Sequence, residues 1–179
     1  MTIIWADSGD NDSSMLKKIW ENASNITLVH ITEWNDVVEK FVNLAISNEQ
    51  DTLLFCGHGS SYGLFAPNSL CEYILHQENV RQIKAKNIIG VSCYAKEFAK
   101  RNNLHGFFTD MFISNINEAV DYGVCATIED IYESANIIFS IINKILTGQL
   151  SYHDCLEMLK TTDTDNPVFD FNVNGIEIL

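Results

Sequence analysis

Basic residues are scarce in this sequence. Its 179 residues include 11 lysines and arginines against 24 aspartates and glutamates, which gives a formal net charge of −13 at pH 7. Such a surface repels a phosphate backbone, and no basic stripe with aromatic residues between its charges offsets that repulsion. We therefore expect no nucleic-acid partner.

Long hydrophobic runs are also missing. No segment approaches the ~20 apolar residues that a membrane-spanning helix needs. The apolar start, residues 1–6, has no basic residue before it and is too short for the core of a signal peptide. The sequence predicts a soluble, cytoplasmic protein with no membrane partner.

Linkers, low-complexity segments and internal repeats are absent as well. A length of 179 residues is typical of one domain, and 46% hydrophobic residues are enough to build a core. We expect a single domain over residues 1–179.

The cysteines show no paired C-x-x-C spacing and no disulfide framework. They are Cys56, Cys71, Cys93, Cys125 and Cys155. An odd number with irregular spacing, in a chain without a secretion signal, argues for free thiols in a reducing compartment. One of them is a candidate for a reactive thiol.

Apolar runs of strand length alternate with segments of helical period. This alternation predicts an α/β fold with three layers, α/β/α, around a mostly parallel central sheet of about five to six strands. The predicted strands are 2–6, 26–31, 52–56, 87–92 and 106–113. The predicted helices are 12–24, 32–45, 69–86, 94–102, one from Ser114, 127–148 and one from Ser151.

Several local signals fix details of these elements. Capping boxes at Thr127-x-x-Asp130 and Ser151-x-x-Asp154 predict two helix starts. Asp12 or Ser13 is expected to cap the first helix and Thr32 the second. Asn174-Gly175 is placed to turn a hairpin. The apolar stripe of the second helix is expected to be buried and comprises Trp34, Val37, Val38, Phe41, Val42 and Ala45.

Two predicted strand ends carry chemically active residues. The third strand runs into Cys56-Gly57-His58-Gly59, and the fourth, NIIGVS, runs into Cys93. Ligands of parallel sheets gather outside the carboxyl ends of the strands. His58 and Cys93 are 35 residues apart, which allows one crossover helix between neighbouring strands. We expect base and thiol to face one crevice.

This pair suits nucleophilic catalysis on a carbonyl. Cys93 would attack, His58 would accept the thiol proton and later protonate the leaving amine, and main-chain N–H groups would stabilise the oxyanion. Gly59 and Cys93 are the natural N–H donors, since Gly59 has no Cβ to obstruct a substrate. A helix starting at Tyr94 is expected to lower the thiol pKa.

These residues resemble those of the caspase-like cysteine peptidases, the group that includes caspases, metacaspases, legumains, gingipains and clostripains. The shared pattern is an apolar strand ending in His-Gly, here LLFCGHG, and a later one ending in a small residue and cysteine, here NIIGVSC. The resemblance implies a caspase-hemoglobinase-like fold and endopeptidase activity without a cofactor. It also implies that His58 is the base, Gly59 the oxyanion-hole glycine and Cys93 the nucleophile.

The sequence departs from the family in two places. The caspase Q-A-C-x-G signature is absent, and Val91 stands where metacaspases have an acid two places before the cysteine. Specificity for aspartate is therefore not expected. With only two arginines and many carboxylates, a substrate pocket for a basic side chain fits better, with Asp110 as its candidate lining residue.

Other interpretations of the same letters stay open. A member of this fold without activity would bind a peptide or protein in the same cleft. Gly59-Ser60-Ser61-Tyr62-Gly63 matches the G-x-S-x-G elbow of serine hydrolases, although no helix is expected directly after it. A homo-oligomer is compatible with the long helix from Thr127.

Metal sites are the remaining alternative. Cys56 and His58, with Cys71, His76 or Cys93, are of the types that bind zinc, but no ligand spacing supports such a site, and no metal is expected. The acidic start, with Asp7, Asp10 and Asp12, is similar to a magnesium-binding carboxylate cluster, although turn and N-cap roles explain the same residues.

Overall fold

The computed structural model describes residues 1–179 and contains a six-stranded central sheet. Its strands are β1 (Thr2–Ala6), β2 (Thr27–Ile31), β3 (Thr52–Cys56), β7 (Asn87–Val91), β8 (Gly106–Phe108) and β9 (Glu177–Ile178). Their spatial order is β2-β1-β3-β7-β8-β9, and only β9 is antiparallel to its neighbour. The predicted α/β class and mostly parallel sheet of five to six strands are confirmed.

Seven helices surround this sheet. They are α1 (Asn11–Met15), α2 (Asp36–Asn48), α3 (Ala95–Asn102), α4 (Ile116–Asp121), α5 (Ile128–Leu146), α6 (Tyr152–Thr161) and α7 (Pro167–Asn174), with 3₁₀ turns at Leu16–Trp20 and Val80–Gln82. None of the helices combines the length and the apolar character needed to cross a bilayer.

The strands bury both faces because side chains alternate along them. Ile3 and Leu54 belong to a core cluster with α5, α6 and α7, whereas Ile4 and Phe55 belong to a second cluster with α2 and α3. Two apolar cores on opposite faces of one sheet are compatible with the predicted three layers.

The predicted helix at 69–86 is wrong. That range contains the strand β6 (Tyr73–His76) and the 3₁₀ turn at Val80–Gln82, and β6 pairs with the preceding strand β5 (Gly63–Phe65) in a small antiparallel sheet that also includes β4 (Gly59–Ser60). A Cβ on Gly63, which has φ +152°, would lie 1.9 Å from the Leu75 carbonyl oxygen. The close approach of β5 and β6 therefore depends on a glycine at position 63. The spacing of apolar residues, from which the helix was predicted, carries no information about this contact.

Strand and hairpin ends also differ from the prediction. The strand expected over 106–113 ends at Phe108. The expected hairpin at Asn174-Gly175 is replaced by α7, which Asn166 caps and which begins at Pro167, a residue suited to the first helical position. Both capping boxes, at Thr127 and Ser151, are confirmed.

The helix α2 buries a different face from the one predicted. Its N-cap is Asn35, not Thr32, and its fully buried residues are Val42 and Ile46. Val37 and Phe41, which were expected inside, are exposed. The helix is apolar on two sides, and only one of them contacts the sheet.

Candidate active site

The carboxyl ends of β3 and β7 are adjacent. The two strands pair directly, and their last residues, Cys56 and Val91, are register partners. His58 and Cys93 each lie two residues beyond these ends, and both line one cavity of about 40 Å³. The structure thus brings together the two residues that the sequence singled out as base and nucleophile.

The ring of His58 is held by Asp10. Its Nε2 lies 2.7 Å from Asp10 Oδ2, and the other carboxylate oxygen of Asp10 accepts the Ser13 N–H as the N-cap of α1. An ionised carboxylate only accepts, so Nε2 carries the proton, and Nδ1 of the neutral ring is left as the basic atom. Asp10 therefore selects the ring's tautomer.

Asp10 is the site residue that sequence reasoning missed. Partial burial opposes its ionisation, but hydrogen bonds from the Ser13 N–H and the His58 ring lower the pKa of its carboxyl group below the usual range. The prediction that Asp12 or Ser13 caps the first helix is wrong, because Asp10 is the N-cap of α1. The available signal was the acidic start itself, which pattern reasoning assigned to capping alone.

The thiol of Cys93 is half-buried and lies against the main chain. Its Sγ donates a hydrogen bond to the Phe112 carbonyl oxygen over 3.7 Å, and not to the His58 ring. Burial raises the pKa of the Cys93 thiol to about 11, and the carboxylates of Glu118 and Asp12 act in the same direction. Cys93 is a neutral thiol in this arrangement.

The expectation that a helix start lowers the Cys93 pKa is wrong. The helix α3 begins at Ala95, not Tyr94, and Tyr94 adopts a left-handed conformation with φ 60°. The N–H groups at this start are already used, because Ala95 donates to the Ser92 carbonyl and Lys96 to the Thr109 carbonyl. The positive end of the helix is thus satisfied by the protein's own oxygens.

The turn that carries Cys93 is fixed by Thr109. The Thr109 hydroxyl accepts the Ser92 N–H at 3.1 Å and donates to the Ser92 carbonyl at 2.8 Å, and its side chain is fully buried. Two bonds to one residue hold the main chain on the amino side of Cys93 in place. The position of the thiol is therefore set by β8 as well as β7.

Two main-chain N–H groups near the thiol have no protein acceptor. None of the protein's hydrogen bonds has the Cys93 N–H as donor. In the β4–β5 pair the Phe65 N–H donates to the His58 carbonyl, so the Gly59 N–H points away from β5 by the alternation of antiparallel pairing. A Cβ on Gly59 would lie 2.7 Å from Ser92 Oγ, which shows how closely these segments approach.

Asp110 is not brought to the cavity. It is absent from the cavity lining, and its Oδ2 lies 2.5 Å from Lys96 Nζ on α3. Burial opposes its ionisation, but Lys96 lowers the pKa of the Asp110 carboxyl group. The carboxylate that does line the cavity is Asp12, whose Oδ2 accepts bonds from Ser114 and Asn115.

Residues 7–15, which we call the roof segment, connect β1 to the first 3₁₀ turn and form one side of the cavity. Asp12, Ser13 and Met15 contribute to the lining. The segment is tied down at Asp10 to His58, at Asp12 to Ser114, and at Asp7, which lies 2.7 Å from His30 Nε2. A cavity of this volume holds about one water molecule and not a peptide side chain.

The alternative sites have weaker geometry. Ser61 lies in the turn between β4 and β5, so it lacks the helix that must follow a nucleophile elbow. No group of three His, Cys, Asp or Glu side chains is arranged to hold a metal ion. Cys56 is fully buried in the core, and Cys71 is exposed.

The sequence matches no protein-family model, and no curated protein matches it significantly.

Proposed function

We propose that this protein is a caspase-like cysteine endopeptidase in which Cys93 is the nucleophile and His58 the general base. The observation that carries the proposal is the shared cavity at the ends of β3 and β7, which is lined by both Cys93 and the Asp10-bound His58. A cytoplasmic location belongs to the same proposal and is supported by five free cysteines, two of them exposed.

The first half of the reaction forms a thioester. Nδ1 of His58 accepts the proton of the Cys93 thiol as Sγ bonds to the carbonyl carbon of the peptide, and the Asp10 carboxylate stabilises the imidazolium that results. The N–H groups of Gly59 and Cys93 donate to the developing oxyanion. The imidazolium then protonates the leaving amine as the C–N bond breaks.

The second half releases the acid. His58 accepts a proton from a water molecule as the water oxygen attacks the thioester carbonyl, and the same two N–H groups stabilise the oxyanion. The Cys93 Sγ then leaves and takes the proton back from His58. Because the raised pKa leaves Cys93 largely protonated, the mechanism relies on His58 as a general base that removes the thiol proton during attack.

A preference for a basic side chain at the cleaved bond is part of the proposal. Asp110 is neutralised by Lys96, so Asp12 takes its place as the candidate contact. Asp12 lines the cavity and accepts from the Ser114 hydroxyl, and the carboxylate of Glu118 accepts the Ser114 main-chain N–H. The two carboxylates give this wall a negative charge.

An irreversible peptide label tests the assignment. Peptidyl acyloxymethyl ketones ending in Lys or Arg should modify Cys93 alone, as peptide mapping by mass spectrometry would show. His58→Ala should abolish the labelling, and Cys125→Ser, which removes an exposed thiol outside the site, should leave it unchanged. Labelling of Cys71 and Cys125 to the same extent as Cys93, unchanged by His58→Ala, would contradict the proposal.

A binding module without activity is the second candidate, and one observation favours it. The thiol is bonded to the Phe112 carbonyl beneath the roof segment, and its pKa is raised, as expected of an inert cysteine. This candidate predicts that basic peptides bind with equal affinity to the wild type and to Cys93→Ser, with no cleavage by either. Isothermal titration beside a cleavage assay separates the two.

A further inference from the structure

The strand β2 forms an open edge of the central sheet. Its pairing with β1 uses alternate residues, since the Thr27 N–H donates to the Met1 carbonyl and the Ile31 carbonyl accepts from the Asp7 N–H. The N–H and C=O groups of Leu28 and His30 therefore point away from β1. These groups are a template for one more strand.

This edge lacks the usual protection. Exposed edge strands are normally guarded by charged residues, proline or a bulge. Residues 22–32 contain no Asp, Glu, Lys, Arg or Pro, in a chain of which 20% is charged. The opposite edge, β9, is only two residues long and carries the Glu177–Lys100 ion pair. The β9 edge is therefore short and charged, whereas the β2 edge is five residues long and has no such protection.

An apolar stripe lies beside this edge. Val37, Phe41 and Leu44 fall at helical spacing along α2 and expose 76%, 59% and 57% of their surfaces. Phe41 and Leu44 line a groove of about 260 Å³ together with Thr27 and Val29 of β2. Glu49 lines it as well, and its carboxylate is paired with the Thr2 hydroxyl and the Met1 amino group. Residues 41–48 contain no charged side chain. The stripe and the strand therefore flank one groove, whose lining contains a single carboxylate, that of Glu49.

We propose that this surface, the β2–α2 surface made of Leu28, His30, Val37, Phe41 and Leu44, binds the same surface of a second copy of the chain about a two-fold axis. The β2 strands pair antiparallel, with Leu28 of each copy opposite His30 of the other. Each of these two pairs exchanges both main-chain hydrogen bonds. Val29 lies at the axis opposite its own counterpart, and the central sheet continues from one copy into the other.

A second copy fits this surface better than an isolated peptide strand. A single added strand would satisfy Leu28 and His30 but leave Val37 in water, whereas a second copy brings its own α2 to cover the stripe. The contact is isologous, as in most soluble dimers.

The area is sufficient for a dimer. Leu28, with 41% of its surface exposed, adds to the three α2 residues, and together they leave roughly 400 Å² of apolar surface on each copy. At the ~65% apolar share of homodimer interfaces, two copies correspond to roughly 1,200 Å² in total, the lower end of the range for stable interfaces.

The first test is the mass in solution. Light scattering during gel filtration of the wild type at tens of micromolar should give twice 20.2 kDa. Phe41→Lys and Leu28→Pro should each give the monomer mass. Leu28→Pro removes an outward N–H and leaves the bonds to β1 intact, so circular dichroism should show a folded protein. Val120→Lys, at an exposed apolar residue on α4, is the matched control and should remain dimeric.

The second test fixes the register. In a Cys71→Ala/Cys125→Ala background, Val29→Cys should form an intermolecular disulfide under mild oxidation, because the two Cα atoms would be about 4.5 Å apart. Thr27→Cys is the control from the same strand, and its two copies would be ~13 Å apart along the strand direction. Thr27→Cys should therefore not cross-link.

Specific outcomes would overturn the proposal. A monomeric wild type at these concentrations excludes it, and so does a dimer that survives both Phe41→Lys and Leu28→Pro. Cross-linking of Thr27→Cys as fast as Val29→Cys excludes the register. Added salt should strengthen the dimer, since it screens two like-charged chains, and dissociation by salt would contradict a contact made by apolar side chains and main-chain hydrogen bonds.

Discussion

The reactivity of Cys93 towards a simple alkylating agent follows from its burial. Burial raises its pKa to about 11, whereas an unperturbed thiol titrates near 8.5. At pH 7 the thiolate fraction is then on the order of 10⁻⁴ instead of about 3 × 10⁻², so alkylation should be roughly 300-fold slower than at an ordinary exposed thiol. Between pH 7 and 10 the rate should rise about tenfold per pH unit, without a plateau.

The assay needs a background in which Cys93 reacts alone. Cys71 and Cys125 are exposed and are replaced by alanine, which should change stability by less than about 0.5 kcal/mol. Cys56 and Cys155 are fully buried, and burial raises the pKa of both thiols. Iodoacetamide uptake, followed by mass spectrometry from pH 6 to 10, then reports Cys93.

One result would refute the reasoning. A rate that levels off below pH 8 would mean a thiolate paired with a protonated His58, and therefore a lowered pKa in place of a raised one. His58→Ala separates the cases further. It should leave the iodoacetamide rate nearly unchanged for a neutral buried thiol, but lower it strongly if an ion pair exists.

Three further substitutions probe the surroundings of the thiol. Asp10→Asn keeps a good N-cap but removes the charge behind His58, so the proposed cleavage should fall by about 10- to 100-fold in kcat/KM. Because folding lowers the Asp10 pKa, the ionised carboxylate stabilises the folded protein above about pH 4, and this stabilisation is lost as the pH falls through the lowered pKa. The free energies of unfolding of wild type and variant, measured in urea, should therefore differ at pH 7 and converge in acid. Gly59→Ala should destabilise by about 1–3 kcal/mol through the clash with Ser92, and adding Ser92→Gly should recover most of the loss in the same unfolding assay. Thr109→Val should cost about 1–3 kcal/mol, because it leaves the Ser92 main chain without its buried partner; equal stability would show that the turn holds itself.

The parts of the fold that sequence reasoning predicted are those with local causes. β1 and β3 were predicted with the bounds that they have, because short apolar runs at the centre of a parallel sheet are buried on both faces. The capping boxes at Thr127 and Ser151 are decided within four residues, and both formed as expected.

The elements that were predicted incorrectly depend on contacts between distant segments of the chain. The sheet of β4–β6 depends on Gly63 approaching Leu75, a contact between segments that no period in the sequence encodes. In α2 the apolar residues cover more than one face, so the pattern shows amphipathicity without saying which face meets the sheet. Val42 and Ile46 do so, and the stripe with Phe41 is left outside.

The site itself divides in the same way. The sequence places His58 and Cys93 at strand ends, and neighbouring parallel strands then bring them together. The state of the thiol was mispredicted because it depends on Phe112, Glu118 and the roof segment, which come from three other parts of the chain. The strand order is enough to place His58 and Cys93 at the same cavity, whereas the pKa of the thiol depends on every group that packs around it.

Asp10 links access to the cavity with the state of its base. The same carboxylate caps α1, within the roof segment, and holds the His58 ring. A movement that lifts the whole segment would therefore release the ring as it exposes the thiol, and the tautomer suited to accept a proton would no longer be selected. A productive opening must break the bonds of Asp12 to Ser114 and Asn115 while Asp10 stays in place.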